Sequence, residues 1–412
     1  MPRRTVTIIT EAAAFGGSVV HTFGLIEALV RRGATVEVVA NRFDPYSEWV
    51  AARGLGQSVR VIPTELPGIT PGEPAAMDAW KTLLATLRGE LLIFPKGHFY
   101  HGQLPLLRAF RKKFKSVVFI EHLEAPPKPA ARERPLFGFL PSLGLAWRQR
   151  KQRQRDAARC ADLVIAVSSK VRDRLVRDWD ASPDEIVVVR NGVRWQDFQR
   201  DEGAGALFRA AHGIDAATFV FGMMTRLTGV KGIDLALEAA RRTLELAGSR
   251  AFMLVIAGEG PDHEALKALA EELGLGRHVM FVGPVARPLD ALSAFDVILF
   301  SSRFEGLPLA LLEGMAAACI PIVTQIGGMG EAVDSREVGW LVPPEDPAAL
   351  ALAMHECLAA DAARIAAMRA HAVHRVRAEF DGDACYERIL DLCGVRGRTH
   401  DFGVRQDGVP RT

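Results

Sequence analysis

The feature that most restricts what this chain can fold into is an alternation kept up through nearly its whole length. Short runs of β-branched and other apolar residues are each followed by a stretch with apolar residues at helical spacing. Candidate strands read at 6–10, 35–40, 59–63, 91–94, 116–120, 163–167 and 186–189, and after a break at 219–223, 253–257, 279–282, 297–300, 320–324 and 339–342. Strands that are apolar throughout are covered on both faces, and intervening helices supply the crossover that parallel pairing requires. The helical stretches also carry stop signals: the stripe Val20, Phe23, Gly24, Ile26, Leu29 and Val30 ends at Gly33, suited to a C′ position. The expected class is α/β, built as doubly wound parallel sheets.

A chain of 412 residues exceeds one ordinary core. The break at 191–217, rich in Gly, Asp and Arg, divides it into a first domain at 1–195 and a second at 196–380. Residues 381–412 read as a terminal helix packing back toward the first domain, followed by a loosely ordered tail from Gly394. Two facing Rossmann-like halves bring the carboxyl ends of both sheets to one cleft, where a ligand site is expected.

Several functional classes are disfavoured. The longest apolar run, 136–147, has twelve residues and is broken by Pro141, short of a membrane span. The apolar run at 6–9 is too short for a secretion signal, so a cytoplasmic protein is expected. Five dispersed cysteines without a C-x-x-C pair read as reduced thiols, and no metal-ligand spacing is present. Neither G-x-G-x-x-G nor a Walker A pattern occurs. Residues 1–200 carry 31 Lys and Arg against 20 Asp and Glu, and residues 201–412 carry 20 against 29. That asymmetry favours an anionic surface facing the first half, such as phospholipid, over a protein coating nucleic acid.

Three segments could carry chemistry. Gly16 and Gly17 lie between the first strand and a helix opening near Ser18, where positive φ and free N–H groups would suit a phosphate; an ordinary strand-to-helix turn reads the same way. Arg226, in Met224-Thr225-Arg226-Leu227 after a strand, and Lys231, which opens the next helix with Gly232, could hold a diphosphate between a guanidinium fork and a point charge. A solvated pair of cations is the other reading. In Ser301-Ser302-Arg303-Phe304-Glu305-Gly306-Leu307-Pro308-Leu309, Pro308 suits the first turn of a helix, which puts Glu305 before it and Glu313 inside it. The N–H groups of Gly306, Leu307 and Leu309 would face phosphate, Glu305 would accept from ligand hydroxyls, and Glu313 would take the paired hydroxyls of a ribose. Singly, each glutamate reads as well as a surface charge.

Taken together, these segments resemble the retaining nucleotide-sugar glycosyltransferases of family 4, which have the two-domain GT-B fold. The resemblance covers about residues 5–390 and includes Val189-Arg190-Asn191-Gly192-Val193, Ile256-Ala257-Gly258-Glu259-Gly260-Pro261, Phe281-Val282-Gly283, Gly327-Gly328 and Glu331. It implies an acceptor-binding first domain and a nucleotide-sugar-binding second one. It also implies that Arg226 and Lys231 hold the donor diphosphate, Glu313 the ribose, and Glu305 with the backbone after it the sugar ring. The family commonly has a histidine where His122 ends strand five, at the floor of the cleft; Glu124 is the alternative there, and His98 and His101 would line the acceptor side. Breaking the anomeric C–O bond leaves negative charge on the departing diphosphate, which a fixed cationic clamp stabilises in the transition state. No metal or other cofactor is expected. The partners implied are a nucleotide-sugar donor and a saccharide or lipid-linked acceptor, with no nucleic acid. Polysaccharide biosynthesis is the setting such partners suggest.

The sequence departs from the family pattern at Thr225, where a glycine usually precedes the arginine, and at Ala318, where a glycine is frequent after the second glutamate. Either extra methyl could narrow the nucleotide pocket or alter a turn. Residues 123–159 join prolines and an apolar Leu136-Phe137-Gly138-Phe139-Leu140 to a basic run after Trp147. With Arg111, Lys112, Lys113 and Lys115 they read as a seat on anionic membrane or as an acceptor loop. Two other functions remain open on these residues: a non-catalytic binding protein of the same fold, and a sugar phosphorylase or hydrolase.

Overall fold

The computed structural model describes residues 4–11, 16–41, 43–66, 76–96, 104–122, 156–157, 159–179, 181–246 and 251–395. Within them every apolar run read from the sequence becomes a strand. The first set is β1 (Thr5–Glu11), β2 (Thr35–Asn41), β3 (Val59–Thr64), β4 (Leu91–Lys96), β5 (Ser116–Glu121), β6 (Leu163–Ala166) and β7 (Ile186–Val188). The second is β8 (Phe219–Met224), β9 (Phe252–Ala257), β10 (Val279–Gly283), β11 (Val297–Phe300), β12 (Ile320–Thr324) and β13 (Trp340–Val342). They pair, parallel throughout, into a seven-stranded sheet ordered β3-β2-β1-β4-β5-β6-β7 and a six-stranded sheet ordered β10-β9-β8-β11-β12-β13. The fold is the expected pair of doubly wound domains, the GT-B arrangement.

In each sheet the strand order reverses beside the first strand, between β1 and β4 and between β8 and β11. Crossovers leave in opposite directions there, so the loops at the carboxyl ends part and leave a crevice. Central strands such as β11 are buried at every residue, as strands covered by helices on both faces must be.

Three details differ from the sequence reading. The helix Gly17–Arg31 buries Val19, His21, Thr22, Leu25, Ile26, Ala28 and Leu29, a face rotated from the expected stripe, while Val20, Phe23 and Val30 are only half-buried. The break at 191–217 contains a helix, Glu202–Ala211, whose N-cap Asp201 accepts from the Ala204 N–H at 3.0 Å. Two glycines hid it; a Cβ at Gly205 would press on the backbone of Ser293, so close helix packing sets that residue. At the tail, Gly394 and Val395 belong to a packed helix end: the Val395 N–H donates to the Leu390 carbonyl at 2.9 Å and Val395 is 2% exposed. Residues 396–412 lie outside the described residues.

The chain crosses between domains twice, side by side. Val193 bridges Asp381 in parallel, donating to the Phe380 carbonyl at 2.9 Å and accepting from Gly382 at 2.9 Å. The helix Gly382–Leu392 then packs on the first domain: Cys385, Tyr386, Ile389 and Leu390 join its core, and Arg31 pairs with Asp383 at 2.7 Å. All five cysteines are buried, and none forms a disulfide.

Candidate active site

Gly16, Gly17 and His122 belong to the first domain and follow the carboxyl ends of β1 and β5; of the three, His122 meets the second domain, at Gly306. The helix opens at Gly17, not Ser18, and neither glycine has positive φ; Gly16 is extended, a conformation open to any residue. The conformational role read from the sequence is therefore not used. What the structure shows instead is room, since none of the described residues lies within 4 Å of where a Cβ would stand on either glycine. His122 directly follows β5 and is 7% exposed, and burial lowers its imidazole to about 4, so it is neutral at ordinary pH. His98, His101 and Glu124 lie outside the described residues, as does nearly all of the 123–159 segment.

The second domain contributes the charged groups. Arg226 follows β8, is exposed, and its side chain has no hydrogen bond or ion pair among the described residues. Lys231 ends a single turn, Gly229–Lys231, and its Nζ donates to Glu305 Oε1 at 2.6 Å; the Ser302 hydroxyl donates to the same oxygen at 2.9 Å. Two loops are stitched together to make this pair. Arg303 forks onto Asp234 with two bonds of 2.7 Å, drawing that carboxyl below its usual range, and the Ser301 hydroxyl donates to the Gly232 carbonyl at 2.6 Å. Glu305 Oε2 is the carboxylate oxygen left without a protein partner among the described residues.

The helix Leu309–Ala316 starts one residue later than expected: Pro308 is its N-cap, not part of its first turn. The N–H groups of Gly306, Leu307 and Leu309 have no acceptor among the described residues, while the side chains of Leu307 and Leu309 are buried. Gly306 and Leu307 are pressed onto the first domain. A Cβ at Gly306 would overlap the carbonyl oxygen of His122, Asn191 Nδ2 donates to the Leu307 carbonyl at 2.7 Å, and Glu331 Oε1 accepts from the Ser169 N–H at 2.7 Å. The structure thus brings His122 to Gly306, next to the Lys231–Glu305 pair.

Glu313 is 8% exposed, and burial raises its carboxyl from the ordinary 4.5 to about 7. The folded chain holds this proton over a range where the unfolded chain has released it. The resulting stabilisation is complete below pH 4.5 and is lost as pH rises through 7, an effect on the order of 3 kcal/mol. Glu313→Gln has no proton to release, so above pH 7 it should gain stability over the unaltered protein by up to that amount. Denaturant titrations at pH 5 and pH 8 check this; equal stability differences at both pH values would show that Glu313 is ionised in the fold.

The two departures from the family pattern fall at opposite ends of the sheet. Ala318 has φ 59, in the left-handed region, between the helix Leu309–Ala316 and the start of β12. Its methyl strains a turn at the amino end of the sheet, so it does not narrow the crevice. Thr225 lies at the carboxyl end of β8, where its N–H donates to the Ala257 carbonyl at 2.9 Å. The basic run on the helix Leu104–Lys113 is partly used inside the protein: Arg111 pairs with Asp162 and Lys115 with Glu90, both at 2.6 Å, and Lys113 donates to the Leu87 carbonyl at 2.8 Å. Among the described residues no helix is long and apolar enough to cross a membrane.

Ser302 was visible only as part of its block; no signal marked its bond to Glu305. His21 and Tyr386 were missed altogether, because nothing local shows that a first-domain helix places the His21 ring between His122 and a tyrosine of the last helix.

Comparison with known proteins gives a consistent picture. The family profile described as Glycosyltransferase Family 4 matches residues 15–195, and that described as Glycosyl transferases group 1 matches residues 206–372. A D-inositol 3-phosphate glycosyltransferase of Corynebacterium urealyticum is 28% identical over 397 residues, covering 92% of this chain and 90% of the relative. The enzyme of the same name from Acidothermus cellulolyticus is 32% identical over 247 residues, 58% of this chain and about half, 54%, of the relative. Among solved structures, a glycosyltransferase from Rickettsia africae superposes with TM-score 0.73 at 16% identity, covering 95% of this chain and 98% of that one. Anabaena HepE in complex with UDP and glucose superposes with TM-score 0.73 at 17% identity, covering 95% and 100%.

Proposed function

The chain is a glycosyltransferase of family 4, and from that premise we propose that it moves a hexose from a nucleotide diphosphate sugar to a saccharide or lipid-linked acceptor, with retention at the anomeric carbon. The observation that carries the reading is the Lys231–Glu305 pair, bonded at 2.6 Å beside a helix start whose N–H groups have no acceptor among the described residues. A diphosphate fits that combination, because fixed cations and aligned N–H groups meet an anion without reorganising. Arg226, exposed and without a partner among the described residues, is the second cation. As the anomeric bond breaks, charge grows on the diphosphate and the clamp holds it more tightly than in the ground state. The reading calls for no metal.

In this scheme Glu305 Oε2 accepts from a sugar hydroxyl, Glu313 receives the ribose hydroxyls, and the helix start at Gly16 and Gly17 supplies N–H groups from the opposite wall. His122 meets the sugar or the reacting centre as a neutral ring. The HepE complex with UDP and the relatives' acceptor, an inositol phosphate, support a uridine nucleotide and a polyol acceptor as first choices. A peripheral seat on anionic membrane belongs to the same proposal, supported by Arg108, Lys112 and Arg159 around one depression of about 420 Å³ that Asp156 and the paired Arg111 also line.

Incubation with UDP-, GDP- and ADP-sugars, with and without acceptor extracts, is the direct test. Nucleotide release that requires acceptor is the expected result. Release with water alone would make the protein a hydrolase, and no release from any donor would leave a binding protein.

A further inference from the structure

One histidine at the seam has no part in the chemistry above. His21, in the second turn of the helix Gly17–Arg31, is 1% exposed, and neither of its ring nitrogens has a hydrogen-bond partner among the described residues. An unpaired polar group in a core is destabilising, and a leucine would fill the same space without that cost. Packing alone therefore does not account for it.

The surroundings suggest a use. The His21 ring stands edge-on to His122, with centroids 4.6 Å apart and planes at 76°, and meets Tyr386 at 5.3 Å and 61°. His122 Nε2 is also enclosed without a partner among the described residues, so none of them sets the orientation of its ring by a hydrogen bond at that atom. Tyr386 comes from the C-terminal helix and lies in a notch at Gly24, where a Cβ would collide with its ring. Burial lowers the imidazole of His21 well below its ordinary range, and the nearness of His122 lowers it further, so both rings are neutral. Edge-to-face contact between neutral rings has a preferred geometry and can select one orientation.

We propose that His21 and Tyr386 are positioning residues for His122: His21, held against Tyr386, fixes the His122 ring at the cleft floor and ties that placement to the C-terminal helix lying in its Gly24 notch. The inference rests on the reading that His122 meets the sugar or the reacting centre.

Imidazole 15N shifts of the full-length, histidine-labelled protein test the first half without a donor. At about pH 6, where both rings are neutral, His122 should show a single fixed tautomer. In His21→Leu and in Tyr386→Leu that signal should average over two tautomers. An averaged His122 signal in the unaltered protein, or a single tautomer persisting in both variants, overturns the proposal.

Kinetics test the second half, using whichever of UDP-glucose, GDP-mannose or ADP-glucose turns over. Both variants should lose about tenfold or more in kcat with donor KM within about twofold, because a misplaced group weakens the transition state and not ground-state binding. Tyr386→Phe should restore the rate, and Gly24→Ala, which displaces the ring without removing it, should reproduce the loss. Unchanged kcat in both leucine variants, with turnover lost in His122→Ala, would overturn the positioning role and leave His122 in place. Full turnover in His122→Ala would overturn both.

Discussion

Arg226→Ala should lower kcat/KM by about a hundred- to a thousandfold, the usual loss when one fixed donor to a developing anion is removed. Stability should stay within about 0.5 kcal/mol, because the side chain is exposed and bonds to nothing described in the protein. That combination separates a ligand-binding arginine from a structural one. Initial rates together with a denaturant titration measure it. A rate within about twofold of the unaltered enzyme would remove Arg226 from the clamp.

Lys231→Ala should be costly in two ways. Activity should fall on the same scale as for Arg226→Ala. In addition, Glu305, whose side chain is 5% exposed, would keep only the Ser302 hydroxyl as partner for a buried negative charge, which costs about 3 kcal/mol. The double variant Lys231→Ala/Glu305→Gln has no charge to strand, so it should recover most of the lost stability and none of the activity. Recovery of both would mean that Lys231 serves only to neutralise Glu305. A single variant as stable as the parent would mean that the pair does not form.

Much of the architecture was legible because it rests on local repetition. An apolar run of four to seven residues such as β11 or β1 has few alternatives to a covered strand, and helices between such runs leave parallel order as the economical solution. The charged site was legible in part. Glu305 and Glu313 were readable as a spaced pair flanking Pro308, and Lys231 as a cation beside a glycine. That Lys231 is bonded to Glu305 while Arg226 is free was not readable, because the bond joins loops after two different strands. The helix Glu202–Ala211 was hidden by Gly205, whose reason for being glycine is the backbone of Ser293.

The burial of the helix Gly17–Arg31 marks the boundary most clearly. Its own sequence specifies a helix and a stop at Gly33, and the stripe read from it points to one covered face. The C-terminal helix packs against this helix too, and with it in place His21, outside that stripe, is an interior position between Tyr386 and His122. Sequence by itself determined the class of fold, the strand positions and the charges available at the crevice, since these follow from periodicity and residue type within a few turns of chain. Tertiary structure alone decided which charges neutralise one another, which stay without a partner among the described residues, and which ring stands against the histidine at the floor, since each depends on segments distant in sequence that meet only in the folded chain.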